Sequence, residues 1–170
     1  MSFLFSQIKS MPLPDSDRLS SLAQAPYFRD VLTAPLTQPE LVASQLQHRI
    51  FNYLPRWVNG LMGLRNRLVK RLGFEVGQTS MTPEGDHWQA GTKAGFLTVM
   101  EISDEEVISG AEDRHMSFYI SVKKAHDTVT VSTLVNQKTW IGRLYVNAIL
   151  PFHYVIARTV INNAIKAGRI

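Results

Sequence analysis

His153 is the residue of this chain whose type and position best suit acid–base chemistry. Histidine titrates closer to neutral pH than any other side chain, so it can act as a general acid or base. Its neighbours at helical spacing are apolar: Val146, Ile149, Ala157 and Val160. The imidazole therefore lies at the edge of a buried stripe. It is either a core histidine with hydrogen-bonded ring nitrogens or a donor or general base that lines a cavity.

His115 and Tyr145 are the other candidates for acid–base catalysis. His115 opens a predicted strand whose even-numbered residues are apolar and whose odd-numbered residues, including Tyr119, are polar. Two orientations of this strand are open. If the even-numbered set faces the core, the odd-numbered set faces solvent. If the protein instead encloses a partly polar cavity, the odd-numbered set lines it. Tyr145 lies on the apolar stripe of the last helix, where its hydroxyl group needs a buried partner.

Arg143 is the candidate for binding an acidic group. A guanidinium group binds carboxylate or phosphate in a forked geometry, and Gly142 beside it permits close approach of a backbone. The position also fits an ordinary solvated helix face. An earlier basic cluster fits a solvated face better than a nucleic-acid site, because no helix-turn-helix signature or strand pattern of stacking aromatics accompanies it. The cluster comprises Arg65, Arg67, Lys70 and Arg71.

Other kinds of site find little support in the sequence. The five histidines are scattered without metal-ligand spacing, and cysteine is absent, so we expect no metal site, disulfide or thiol chemistry. No G-x-S-x-G or G-x-G-x-x-G stretch marks a nucleophile elbow or a dinucleotide site. We therefore expect no cofactor.

The composition is that of a globular protein, with 45% hydrophobic and 19% charged residues. Eighteen basic residues against fourteen acidic ones give a mild formal charge of +4, a weak argument for an anionic partner. The first residues, MSFLFSQIKS, lack the apolar run of a secretory signal, so we expect a cytoplasmic protein. Polar residues interrupt the last helix, so we expect neither a membrane span nor integral membrane association. The sequence leaves the oligomeric state open.

The elements that must position these residues follow from the periodicity of the chain. From residue 140 to residue 170, apolar residues recur at steps of three and four, Leu144 and Phe152 among them, which predicts one long amphipathic helix with these residues on its buried side. Period-two alternation from Phe96 to Val135 predicts four antiparallel strands joined by tight turns. A weaker strand at 27–34 and two shorter helices precede them. Thr37 is predicted to cap the first of these helices, and Gly73 is predicted to end the second, which carries the basic cluster. Residues 1–26 have no sustained period and predict an irregular arm on a single domain spanning residues 1–170.

This order of elements predicts an α+β domain in which a curved antiparallel sheet wraps around the long C-terminal helix, the helix-grip fold. Six short motifs carry a resemblance that covers roughly residues 20–165: Pro55-Arg56-Trp57, Leu64-Arg65-Asn66, Gly73, Glu112-Asp113-Arg114-His115, Gly142-Arg143-Leu144-Tyr145 and Pro151-Phe152-His153. With them the chain resembles an uncharacterised bacterial domain family that is itself similar to the START-like, polyketide-cyclase-like (SRPBCC) helix-grip superfamily. Some relatives in that family are fused to nucleotide-binding reductase-like domains. The resemblance implies a fold and a cavity, and no catalytic residues.

The leading prediction is a module that binds a small hydrophobic molecule, apolar or aromatic and with at most one acidic group, between the last helix and the sheet. Its predicted ligand-binding residues are Trp57, Tyr119, Arg143, Tyr145, Phe152, His153 and Ile156. Two alternatives stay open. One is a cyclase or dehydratase acting on a polyketide-like substrate through His153, His115 or Tyr145. The other is a protein-interaction module that binds its partner through the helix with the basic cluster.

Overall fold

A seven-stranded antiparallel sheet forms the body of the protein. The computed structural model describes residues 5–71, 81–82 and 88–170, without the side chains of Leu68 and Val69. In that part of the chain the strands are β1 (Lys9–Ser10), β2 (Tyr27–Pro35), β3 (Lys93–Ala94), β4 (Leu97–Ile102), β5 (Glu106–Glu112), β6 (Met116–Lys124) and β7 (Thr128–Gln137). They lie in the order β1-β2-β7-β6-β5-β4-β3, and each pair is antiparallel.

The described helices are α1 (Arg18–Leu22), α2 (Ala43–Phe51), α3 (Arg56–Lys70) and α4 (Trp140–Lys166). Two begin at a side-chain cap: Asp17 accepts a hydrogen bond from the amide of Ser20, and Thr139 accepts one from the amide of Gly142. Such caps satisfy amide groups that have no partner within a helix. The helices lie on both sides of the sheet, because α2 and α4 cover one face and α1 covers the other.

The predicted helix-grip architecture is confirmed: a first strand, two shorter helices, a four-stranded meander and a long C-terminal helix. One helix start differs from the prediction. Thr37 was expected to cap α2, but its hydroxyl group donates to the carbonyl of Ile170 at 2.6 Å, and α2 begins six residues later. The side chain of Gln45 accepts from the amide of Val42 there. The predicted end of α3 at Gly73 lies outside the described residues.

The arm that was predicted to be irregular contains β1 and α1. Leu19 of α1 is buried against Ile108 and Leu134 and forms a small second core on the outer face of the sheet. The main core lies on the inner face, where Leu32 and its cross-strand neighbours on the next three strands are buried under α2 and the end of α4. Burial on both faces explains why polar and apolar residues alternate in β6 without either set facing solvent.

The start of α4 is fixed by a close backbone contact. A Cβ atom added at Gly142 would lie 2.4 Å from the carbonyl oxygen of His115, at the beginning of β6. Only glycine permits this approach. The same carbonyl accepts a hydrogen bond from the amide of Lys138 at 2.9 Å, so the β7–α4 connection and the β6 strand are held together.

Candidate functional site

Helix α4 is buried against the body of the protein at both ends and less deeply in the middle. Gly142 and Val146 are buried at the start, and Val160, Ile161 and Ala164 are buried near the end. Every residue from 147 to 159 is at least partly exposed, including those on the same side of the helix as these five. The middle of α4 is therefore less completely covered by the rest of the protein than its two ends.

The floor beneath the middle of α4 is a row of apolar residues that crosses four strands. Register places Phe28, Val135, Phe118 and Ala111 side by side on the inner face. Three of them are only partly buried. Ile156 of α4 is also partly buried and packs against the main core. We use the term groove for the region that lies between this row and three residues of α4, namely Ile149, His153 and Ile156.

A row with polar members separates the groove from the packed core. It consists of Asp30, Thr133, Ile120 and Ser109, which are paired across β2, β7, β6 and β5. Ser109 is fully buried and bonds the side chain of Gln47 from α2. Beyond this row, the next one is apolar and closed. Within two rows, the residues of the inner face thus change from fully buried to mostly partly buried.

His153 meets a carboxylate of this polar row. Its Nε2 atom lies 3.2 Å from Oδ2 of Asp30, with side chains 20% and 10% exposed. Phe28 packs edge-on against the imidazole at 5.2 Å between centroids. An ionised carboxylate only accepts hydrogen bonds, so Nε2 carries the proton in the neutral ring and Nδ1 carries the lone pair. This arrangement holds the imidazole in one orientation.

Tyr145 and Arg65 connect α4 to α3. Nε of Arg65 donates to the Tyr145 hydroxyl group at 2.6 Å, and the guanidinium group lies 5.4 Å from the centre of the Tyr145 ring. Arg65 also donates to the side chain of Asn66. Both residues are partly buried. Arg65 is therefore an ordered cation between the two helices, although the sequence favoured a solvated position for it.

His115 has contacts that support the fold. It is 5% exposed, and its Nδ1 atom lies 2.9 Å from the hydroxyl oxygen of Thr139, the residue that caps α4. Its amide donates to the side chain of Asp113. The structure thus places His115 at the junction of β6 and α4.

Four of the predicted ligand-binding residues lie away from the groove. Tyr119 is on the outer face, packed with the Leu19 cluster, because odd-numbered residues of β6 point away from α4. Phe152 is 57% exposed on the side of α4 opposite the sheet, and Trp57 is 47% exposed on α3. Arg143 lines a depression of about 160 Å³ with residues 24–26 and 136–138. Tyr145, His153 and Ile156 lie along the groove.

Sequence reasoning missed Asp30, Phe28 and Phe118 as groove residues. Phe118 belongs to the even-numbered apolar set of its strand, whose orientation the sequence left open, and that set faces the groove. Asp30 lies in a strand with poor alternation, and the charged pair Arg29-Asp30 within a short, mostly apolar segment is the signal that could have located it. Among the described residues, no group of three His, Asp or Glu side chains is placed to hold a metal ion.

Helix α4 is long and apolar enough, by length and composition alone, to cross a membrane, although no membrane span was predicted from its sequence. Of its most apolar 18 residues, 17% are buried inside the protein. The same composition occurs in core helices, and here Val160, Ile161 and Ala164 of α4 are part of the main core.

A family model described as a protein of unknown function (DUF2867) matches residues 22–160. No curated protein and no solved structure matches the chain.

Proposed function

The chain belongs to the DUF2867 family of proteins of unknown function, and we propose that it binds a small apolar or aromatic molecule in the groove between α4 and the sheet. The observation that carries this proposal is the change in burial along α4. The helix is buried at Val146 and again at Val160, while the residues between them are partly exposed above an apolar floor.

The lining of the groove suits a ligand that is mostly hydrocarbon. Apolar and aromatic surface is offered by four partly buried residues: Phe28, Phe118, Ile149 and Ile156. Burial of such surface stabilises a complex by roughly 25 cal/mol per Å². Ligand sites are commonly apolar clefts with a few polar groups that fix orientation.

Two polar groups flank this apolar surface. Arg65 is held by Tyr145 and suits one acidic group on the ligand, because a guanidinium group pairs with carboxylates in a fixed geometry. His153 is held by Asp30 and presents a polar nitrogen beside Phe28. We expect a ligand with an extended or aromatic apolar body, and with its acidic group, where it has one, near Arg65.

The proposal is tested with the fluorescent probe 1-N-phenylnaphthylamine and a substitution that fills the groove. Ala111 is partly buried in the floor beside Phe118, so Ala111→Leu adds three carbon atoms there. We expect this change to weaken probe binding by about tenfold or more, a loss of roughly 1.4 kcal/mol. Ala125→Leu, in the exposed turn between β6 and β7, is the matched control and should bind like the wild type.

The His153–Asp30 pair favours a second candidate function, an enzyme of the cyclase or dehydratase kind. A histidine oriented by a carboxylate can take up and return a proton through its other ring nitrogen, which is the chemistry those reactions require. In this role His153 would abstract a proton from a ligand bound in the groove, and Asp30 would keep the ring in the productive tautomer.

The two candidates differ in the consequence of losing the imidazole. For a binding module, His153→Gln leaves affinity for the ligand within a few-fold of the wild type, because the apolar lining remains. For an enzyme, the same change abolishes turnover of a polyketide-like substrate while the substrate still binds. Turnover assays and binding measurements on one protein sample separate these outcomes.

A further inference from the structure

The first half of α4 carries a second apolar stripe that faces away from the sheet. Trp140 is 72% exposed, Leu144 63%, Phe152 57% and Val155 39%. At about 100° per residue these four side chains fall within an arc of roughly 120°, opposite the buried Gly142 and Val146. This half of the helix is therefore apolar on both sides, but only the side with Gly142 and Val146 is buried against the protein. Soluble proteins rarely leave large contiguous apolar surface exposed unless it binds something.

The helices that carry exposed apolar residues are basic. Helix α3 exposes Trp57 (47%) and Leu64 (54%), and it meets α4 at the bond between Arg65 and Tyr145. The sequence of α3 contains four Arg or Lys residues and that of α4 contains three. Neither helix contains Asp or Glu. Exposed tryptophan and leucine beside basic residues, on helices whose sequences lack acidic residues, are typical of helices that lie at a lipid–water interface.

We infer that the outer surface of α3 and the first half of α4 docks onto a bilayer that contains anionic phospholipids, with Trp140 and Leu144 inserted at the headgroup level. We call this surface the docking face. Helix α4 lies on the membrane in this arrangement and does not cross it, because Val146, Val160 and Ala164 belong to the protein core. Insertion of the apolar side chains and attraction of the cations to anionic headgroups act together.

Charge selects the bilayer over a second copy of the chain. If two docking faces met through a two-fold axis, each would bring its own Arg and Lys residues against those of its partner, and like charges brought together at an interface cost several kcal/mol. An anionic bilayer supplies the opposite charge to the same surface. This inference is independent of ligand binding, because Trp140 and Leu144 lie outside the groove.

The test uses the full chain and vesicles of phosphatidylcholine, with or without about 30% phosphatidylserine, in flotation experiments. Each cation near an anionic surface contributes roughly 1 kcal/mol, which is about fivefold in partitioning. We expect binding to the anionic vesicles only, and Arg143→Glu should weaken it at least fivefold. Trp140→Ser with Leu144→Ser should weaken it at least tenfold. Met100→Ser is the matched control, because Met100 is 41% exposed on the far side of the sheet.

A second readout follows the inserted side chain itself. In a variant with Trp57→Phe and Trp88→Phe, Trp140 is the remaining tryptophan, and its emission should shift to shorter wavelength when anionic vesicles are added. The inference is overturned if the protein stays unbound, if neutral vesicles bind it equally, or if Trp140→Ser with Leu144→Ser binds like the wild type. Light scattering would also overturn the inference in favour of a second copy if the wild type is a dimer and the variant with Trp140→Ser and Leu144→Ser is a monomer.

Discussion

The imidazole of His153 and the carboxylate of Asp30 lie 3.2 Å apart at the boundary between the packed core and the groove. They join the middle of α4 to β2, at the point where the helix is otherwise incompletely buried. The pair has two consequences. It holds the helix over the groove, and it orients His153 in the groove lining.

The first prediction concerns the energetic coupling of this pair. Asp30→Ala and His153→Ala should each lower the free energy of unfolding, because each leaves a mostly buried polar group without its partner. The double variant should be less destabilised than the sum of the two. Urea denaturation of all four proteins should give a coupling energy of roughly 1–2 kcal/mol. Additive effects would show that the two side chains do not interact in solution.

The second prediction compares two glycines in helices. Gly142→Ala should destabilise the protein by roughly 1–3 kcal/mol, because the new Cβ would lie 2.4 Å from the carbonyl oxygen of His115. At Gly63 in α3 nothing in the described structure lies within 4 Å of an added Cβ. Gly63→Ala should therefore stabilise the protein by up to about 1 kcal/mol through helix propensity. Thermal denaturation decides the signs, and a stable Gly142→Ala protein would contradict the close contact.

The third prediction concerns acid pH and the outer face of the sheet. Burial raises the pKa of Asp17, but hydrogen bonds from Arg29 and Ser20 and the charge of Arg29 outweigh burial and leave that pKa below its usual value of 3.8. The carboxylate therefore stabilises the fold above the unfolded pKa, and this contribution is lost as pH falls through the folded pKa.

Asp17→Asn keeps a capping oxygen and removes the charge opposite Arg29, whose side chain is 4% exposed. It should lower the free energy of unfolding by roughly 1–2 kcal/mol near pH 7, and by less near pH 3. Urea denaturation at both pH values measures the difference. An equal loss at both would mean that the ionised form of Asp17 contributes nothing beyond its capping bond.

The fourth prediction concerns the bridge between α3 and α4. Tyr145→Phe removes the oxygen to which Arg65 donates and keeps the aromatic ring over which Arg65 lies. The loss in stability should be modest, about 0.5–1.5 kcal/mol. A ligand with an acidic group should lose affinity by more than an otherwise identical neutral ligand, because Arg65 is no longer positioned. Calorimetric titration with a fatty acid and its methyl ester tests this, and equal losses would remove Arg65 from the site.

The overall fold was predictable because its determinants are local. Period-two alternation defined the four strands of the meander, and steps of three and four defined the last helix. The short helix α1 was missed because five residues do not establish a period. Its capping residue Asp17 was the signal that could have located it.

The orientation of α4 was not predictable from its period. The predicted buried stripe included Leu144 and Phe152, and these residues are exposed. The first half of the helix is apolar on both sides, so periodicity does not select the buried one. Contacts distant in sequence select it, namely Gly142 against His115 and His153 against Asp30. Likewise, alternation in β6 separated Tyr119 from Phe118 but did not show which of them faces α4.

The most direct test of ligand binding in the groove is methyl NMR of isoleucine-labelled protein titrated with 1-N-phenylnaphthylamine. The methyl groups of Ile149 and Ile156 line the groove, whereas Ile108 lies in the Leu19 cluster on the outer face. We predict that the signals of Ile149 and Ile156 shift on titration and that the signal of Ile108 does not. Shifts at Ile108 without shifts at Ile149 and Ile156, or no shifts at all, would contradict a binding site beneath α4.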